Sequence, residues 1–268
     1  MEVENLVLVK LGGSLITDKT KPFTPRKDVI DRLAKEIHEA REEAKIKLII
    51  GHGGGSFPHE PAKKYRTDLG FVDTESYKGM AKVQNAASDL NRIIVGSLLE
   101  YGENAISIQP FATFIAEEGI IKYWYTQSLE YMLKFDMLPV VYGDVAIDVR
   151  KGCATISTEE ILNHLSRQFN SKRIILVGIT GGVFDKDPNK FKDAKLIPEI
   201  TSENYKDIRK YLGGSAGIDV TGGMAHKVDN MFELTKFGVE IEIINGEREG
   251  FVKRALLGEK GLGTIIKA

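Results

Sequence analysis

Residues Leu6–Ser14 read "LVLVKLGGS", an apolar run that reaches a lysine and then breaks on two glycines and a serine. A run this short, bounded by glycine, predicts a buried strand feeding a loop. The segment that follows, "TPRKDVIDRLAKEIHEAREEAK" from Thr24, predicts a helix with Thr24 as cap, Pro25 at the first helical position and Val29, Leu33 and Ile37 on one face. "KLIIG" at 47–51 then predicts a second strand. Strand, helix and strand in this order make a parallel crossover unit.

The same alternation runs on to the end of the chain. Met80, Val83, Ala87, Leu90, Ile94 and Leu98 recur at three- and four-residue spacing in a predicted helix from about Glu75 to Tyr101, with Gly102 as its stop. "AISIQ" predicts a strand, "GIIKYWYT" a hairpin strand and "QSLEYMLKF" a helix. "LPVVYGDVAIDV" and "ATIS" pair across the "RKG" turn in this reading, and "TEEILNHLSRQF" resumes helix. "RIILVGITGG" is a buried strand with a glycine loop, "GMAHKVDNMFELTKFG" a helix, and "VEIEIIN" and "GTIIKA" closing strands. The expected fold class is α/β: a sandwich around a mainly parallel central sheet. A soft lobe boundary falls near Asn170.

The 268 residues suit one large domain or two closely packed lobes. With 37 basic and 38 acidic residues the net charge is -1, so no global field draws nucleic acid or a membrane surface. A single cysteine, Cys153, excludes an internal disulfide and a multi-cysteine metal cluster. The apolar part of "MEVENLVLVK" is too short for a signal peptide or a membrane span, so a cytoplasmic protein is expected.

Four glycine loops stand at strand or helix ends: "KLGGS", "GHGGGS", "GITGG" and "DVTGGMAHK". Phosphate needs backbone N–H groups that can approach without a Cβ in the way, and helix N-termini add a favourable dipole. Any one loop is equally well a turn; four of them, two with a lysine at a fixed offset, favour phosphate. Lys10 leaves its strand beside Gly12–Gly13, where it can meet phosphate oxygens or snorkel to solvent, and Ser14 and Lys19 lie on the same connection. Lys227 lies four residues after Gly223, within reach of a phosphate at that helix start or as an ordinary surface lysine. No Walker loop occurs, and in "GHGGGS" Ser56 takes the last glycine position of a dinucleotide fingerprint.

His52 is expected to brace its loop, whereas His59 stands at a helix entrance where a ring N–H can meet an anion. His38, His164 and His226 show no metal spacing. Asp144 and Glu159 are the acids expected at strand ends, either as caps or as groups that orient lysines or a magnesium-nucleotide; Ser157 or Thr158 with Glu160 makes a helix entrance.

Taken together, "KLGGSLITDK", "HGGGSFPH", "ISIQP", "PVVYGDV" and "DVTGGMAHK" resemble the amino acid kinase superfamily, and within it the isopentenyl phosphate kinases. His59, seven residues after His52, is the specific sign, because relatives that phosphorylate carboxylates lack it. The resemblance implies a three-layer αβα sandwich formed as one domain, with an acceptor lobe over about 1–170 and a nucleotide lobe over about 171–268. It also implies a homodimer, ATP with Mg2+ as donor, and isopentenyl phosphate as acceptor. Carried over by position, Lys10, Gly12, Gly13, Ser14 and Gly55 hold the nucleotide phosphates and Lys19 stabilises charge in transfer. Gly54, His59 and Thr158 fall to the acceptor, and Gly223 and Lys227 to the nucleotide. The chain departs from the pattern at Ser157-Thr158-Glu159 where the family reads S-G-D, at Ile179 and Gly181 in place of two aspartates, and at Pro58 in place of glycine. Two alternatives stay open: a kinase for another phosphomonoester or a phosphonate, as in the fosfomycin kinases, and a nucleotide-binding regulatory protein without turnover.

Overall fold

The computed structural model describes residues 4–188, 190–214 and 223–268, and only the backbone at 211–214 and 223–227. The chain begins with β1 (Leu6–Leu11), a short α1 (Gly13–Ile16), α2 (Lys27–Ala44) and β2 (Lys47–His52). It continues through α3 (His59–Tyr65), α4 (Thr74–Glu100), β3 (Ala105–Ser107), α5 (Pro110–Thr113), β4 (Phe114–Glu117), β5 (Ile120–Trp124) and α6 (Gln127–Lys134). Next come β6 (Leu138–Tyr142), β7 (Asp144–Asp148), β8 (Gly152–Ile156), α7 (Thr158–Phe169) and β9 (Arg173–Gly178). The short strands β10 (Val183–Phe184), β11 (Leu196–Ile197) and β12 (Glu199–Ile200) precede α8 (Tyr205–Gly214), α9 (Gly223–Thr235), β13 (Glu240–Asn245), α10 (Phe251–Leu256) and β14 (Gly263–Ile266).

Eight strands form one sheet in the order β12-β14-β13-β9-β1-β2-β6-β3, parallel except between β13 and β14. In β1, Val7, Val9 and Leu11 face one core and Leu6 and Leu8 the other, so a nearly continuous apolar strand is buried on both sides. Helices α2, α4 and α10 close the first core and α6, α7 and α9 the second. This is the expected αβα sandwich. Because β9 and β2 flank β1 in the same sheet, strands from both ends of the chain share one continuous layer.

Several local readings shift. The second helix starts at Lys27 rather than at Pro25, because Pro25 forms a β-bridge with Thr17 and the Thr24 hydroxyl bonds to the Pro22 carbonyl. The long helix α4 matches its expected stripe and opens with a capping box between Asp73 and Ser76. The run "LPVVYGDVAIDV" splits at Gly143: β6 joins the main sheet, while β7 joins a second sheet of order β5-β4-β7-β8. Strand β4, the small strands β10 to β12, and helices α8 and α10 carry no pattern strong enough to read beforehand. Met80 and Val83 pack with Val145 and Cys153, and Leu90 lies in the first core, so this face of α4 is packed structure.

Helix α10 has no side-chain cap of its own. Glu36, buried on α2, supplies one from outside by accepting from the N–H groups of Gly250 and Val252, both at 3.0 Å, while Arg32 holds the carboxylate at 2.6 Å. Removing that acceptor leaves buried donors unpaired. Glu36→Ala is expected to cost about 1–3 kcal/mol in urea unfolding, with Glu36→Gln recovering part of it; a midpoint unchanged by the alanine variant would contradict the cap.

Candidate active site

Strand order reverses at β1: the chain passes through α2 on one face to reach β2, and β9 is reached through α7 on the other. Open α/β sheets bind ligands outside the carboxyl ends of their strands at such a switch point. Here the three strand ends carry three of the glycine loops. Gly12 donates to Val177 O at 2.8 Å and Gly53 donates to Leu11 O at 2.9 Å, which ties the loops of β1, β2 and β9 into one floor.

The first two loops touch backbone to backbone. A Cβ on Gly13 would lie 2.5 Å from Gly55 N and one on Gly53 2.9 Å from Gly13 N, and Gly55 has φ +55°. Only glycine meets these demands. Among the described residues, none accepts from the N–H groups of Gly13, Ser14, Gly54 or Gly55, so four donors are available where the loops meet. The Gly12 N–H, where a phosphate contact was expected, is spent on Val177 O, whereas the N–H groups of Gly13 and Ser14 have no protein acceptor among the described residues.

Lys10 forms an ion pair with Glu159, both partly buried, at the start of α7. Of the two candidate acids, Glu159 is therefore the one that orients a lysine. Asp144 is not. Its carboxyl is 2 % exposed, accepts from Val145 N at 2.8 Å through Oδ1, has no hydrogen-bond partner at Oδ2 among the described residues, and is pushed up to about 8 by burial. Ser157 caps α7 by accepting from Glu160 N at 3.1 Å. Thr158, expected at the acceptor, is buried with its hydroxyl donating to His52 O at 2.7 Å, so its side chain supports the second loop instead.

His52 is fully buried and stacked on Tyr142. Its Nδ1 lies 3.1 Å from Gly53 O and its Nε2 3.1 Å from Asn91 Nδ2, the arrangement of a neutral ring that donates to the loop and accepts from the amide. Burial holds its pKa down at about 4. The bracing role expected of it is the one it has.

His59 opens α3 and is exposed beside Lys19; desolvation by its surroundings, then the charge of Lys19, hold its pKa below the ordinary imidazole value. The two come from separate connections, and the charge acting on the His59 ring is that of Lys19 and not of an acid. Pro58, in place of glycine, has φ -81° and leans its ring against Gly54, where a side chain would overlap it. On the far side, Ile179 is half exposed and a Cβ on Gly181 would lie 3.3 Å from that of Asn245. Gly223 opens α9, but the loop before it and the side chain of Lys227 lie outside the described residues. No group of three acidic, histidine or cysteine side chains that could hold a metal occurs among the described residues.

Sequence reading missed Thr17. It is 1 % exposed and its hydroxyl contacts both glycine loops. The only hint was its place inside "GGSLITDK".

A parallel switch-point sheet with paired phosphate-ready glycine loops and a lysine held by an acid defines a phosphotransferase of the amino acid kinase family. The chain belongs to that family, whose pattern matches residues 5–245. It is 38 % identical to the isopentenyl phosphate kinase of Methanothermobacter thermautotrophicus over 97 % of this chain and 98 % of that one. It is 35 % identical to the isopentenyl phosphate kinase of Methanocaldococcus jannaschii over 95 % and 96 % of the two chains. A solved structure of an isopentenyl phosphate kinase superposes with a TM-score of 0.82 at 34 % identity, covering 97 % of this chain and all of the other.

The buried neutral His52 sets a pH dependence of stability. Its folded pKa, about 4, lies below the unfolded value of about 6.5, so the unfolded chain takes up the proton first. Stability is expected to hold above about pH 6.5 and to drop by about 3 kcal/mol as pH falls towards 4. In urea titrations His52→Asn should be less stable at pH 7 and lose this part of the slope. Equal slopes in both proteins would show that another group carries it.

Proposed function

We propose that this chain transfers the γ-phosphoryl group of ATP to isopentenyl phosphate, giving isopentenyl diphosphate and ADP. The observation that carries this reading is the open N–H groups of Gly54 and Gly55, which the chain follows within five residues by His59, a ring that feels the charge of Lys19. The similarity to isopentenyl phosphate kinases over nearly the whole chain supports it. A site with two cationic or protonatable groups and several bare N–H donors suits an acceptor that already carries a phosphate.

In this reading Gly13, Ser14 and Gly55 cradle the donor phosphates and Gly54 with His59 holds the acceptor phosphate. Lys10, kept in place by Glu159, meets the transferring group, and Lys19 stands between the two as charge redistributes. The nucleophile is an acceptor phosphate oxygen, so no strong general base is required, and positioning with electrostatic stabilisation does the catalysis. Gly223 and Lys227 take the nucleotide from the other lobe, and Mg2+ on the nucleotide neutralises phosphate charge when bound. A homodimer working in the cytoplasm, in a mevalonate route to isoprenoids, follows from the family resemblance alone. Ile179 and Gly181, where relatives keep aspartates, are the one feature that favours a nucleotide-binding protein without turnover. An assay of ADP release across phosphomonoesters separates the two, since ATP binding with no turnover on any of them would favour the second.

Lys10→Ala should lower turnover at least tenfold or so while leaving thermal stability nearly unchanged, because the lost charge matters most in the transition state. Unchanged turnover in a stable variant would remove Lys10 from the site.

His59→Ala should raise the acceptor KM or reduce kcat by about tenfold or more, a charge-assisted hydrogen bond being worth roughly 1.5–3 kcal/mol, with ATP binding almost unaltered. Bound phosphate raises the imidazole pKa from its lowered free value. Acceptor affinity should therefore be greatest below the free-state pKa and weaken as pH rises through the bound-state one. His59→Gln should keep part of the affinity and lose this dependence. Calorimetric titrations in which all three proteins bind the acceptor equally would leave His59 outside the site.

A further inference from the structure

Thr17 follows α1 and is buried, yet its hydroxyl is committed to both loops: it donates to Gly13 O at 2.7 Å and accepts at 3.0 Å from the N–H of Ser56, 39 residues further along the chain. The Gly13 carbonyl and the Ser14 N–H belong to one planar trans peptide and point in opposite directions. The Thr17 backbone N–H also donates to this carbonyl, at 3.0 Å, so residue 17 holds it twice and aims the Ser14 N–H the other way, where it has no protein acceptor among the described residues. In the same manner, holding the Ser56 N–H fixes the plane that follows Gly55, whose left-handed backbone, φ +55°, packs directly against the Thr17 side chain.

We infer that Thr17 is a positioning residue for phosphoryl transfer: its hydroxyl, the one group that bonds both loops, locks the donor-side and acceptor-side glycine loops at one mutual offset. The inference rests on the proposed assignment of Gly13 and Ser14 to the donor and Gly54 to the acceptor. Thr17 touches neither substrate. Its action passes through the two backbones, which approach so closely that a Cβ on Gly13 would lie 2.7 Å from Gly55 Cα. A small slip between the loops changes the distance and angle between the two phosphates, and a displacement of about 1 Å can cost on the order of a hundredfold in rate. Each phosphate can still find its own N–H groups after such a slip, so binding of either substrate alone suffers less than transfer between them.

Thr17→Val keeps the shape and removes the hydroxyl; Thr17→Ser keeps the hydroxyl and removes the methyl. Purified parent and variants would be compared for kcat, for both KM values, and for the ratio of ADP released to isopentenyl phosphate phosphorylated. The valine variant is expected to lose at least about tenfold in kcat per folded molecule with both KM values within about threefold. Its ADP should outrun phosphorylated acceptor as water takes the misaligned phosphoryl group. The serine variant should stay within about threefold of the parent. Should the valine variant fail to fold, the pair Thr17→Ser and Thr17→Ala isolates the same hydroxyl. A valine or alanine variant that is less stable but turns over like the parent, or a serine variant as slow as they are, would overturn the inference by showing a packing role only. A parent that does not phosphorylate isopentenyl phosphate would overturn the proposed function and this inference together; an active parent with unchanged variants would overturn this inference alone.

Discussion

The arrangement of this protein depends on one contact between two pieces of bare backbone, Gly13 and Gly55. Each lies just beyond a central strand of the sheet, and neither position has room for a β-carbon. Adjacent parallel strands are separated by about 5 Å, so loops leaving their carboxyl ends are brought together by the sheet itself. What glycine adds is that they meet without side chains between them. Two sets of N–H donors then face one small volume, which is the geometry two neighbouring phosphates need.

The polar groups around that contact are divided between support and chemistry. His52, Asn91, Thr158 and Thr17 are buried and spend their hydrogen bonds on the loops or on one another. A neutral imidazole suits such a place, because a buried cation would cost free energy that no nearby acid offsets. Lys10, Lys19 and His59 lie at the edge of this shell. Of these, Lys10 already has a carboxylate partner in Glu159. The longer glutamate spans the ion pair from the first turn of α7, where its charge is also favoured by the helix dipole. That placement accounts physically for retaining an acid at this departure from the family pattern.

The other departures have local accommodations. Pro58 takes a backbone conformation that proline favours and stiffens the entry to α3 against Gly54. At Ile179 an apolar side chain stands half exposed where a carboxylate is usual, and near Gly181 the space is shared with Asn245. The β9 end of the crevice thus lacks the two carboxylates of the family pattern. The sheet is nonetheless continuous through β9, β1 and β2, so the strand ends beneath the crevice belong to one floor.

Sequence alone determined the elements whose signal is local. Buried parallel strands announce themselves as apolar runs ending in glycine, α4 as a long regular stripe, and the phosphate loops as glycines beside lysines. His52 and His59 could be told apart by their positions before and after the glycines. What only the tertiary structure decided were the partners of groups far apart in the chain. Lys10 and Glu159 are separated by 149 positions, Thr17 and Ser56 by 39, and Glu36 from the helix it caps by more than 200. It also decided that the Gly12 N–H is consumed by Val177 and the Thr158 hydroxyl by His52. A hydrogen bond depends on direction and distance within a few tenths of an ångström, and spacing along a chain encodes neither until the sheet has brought its strand ends together.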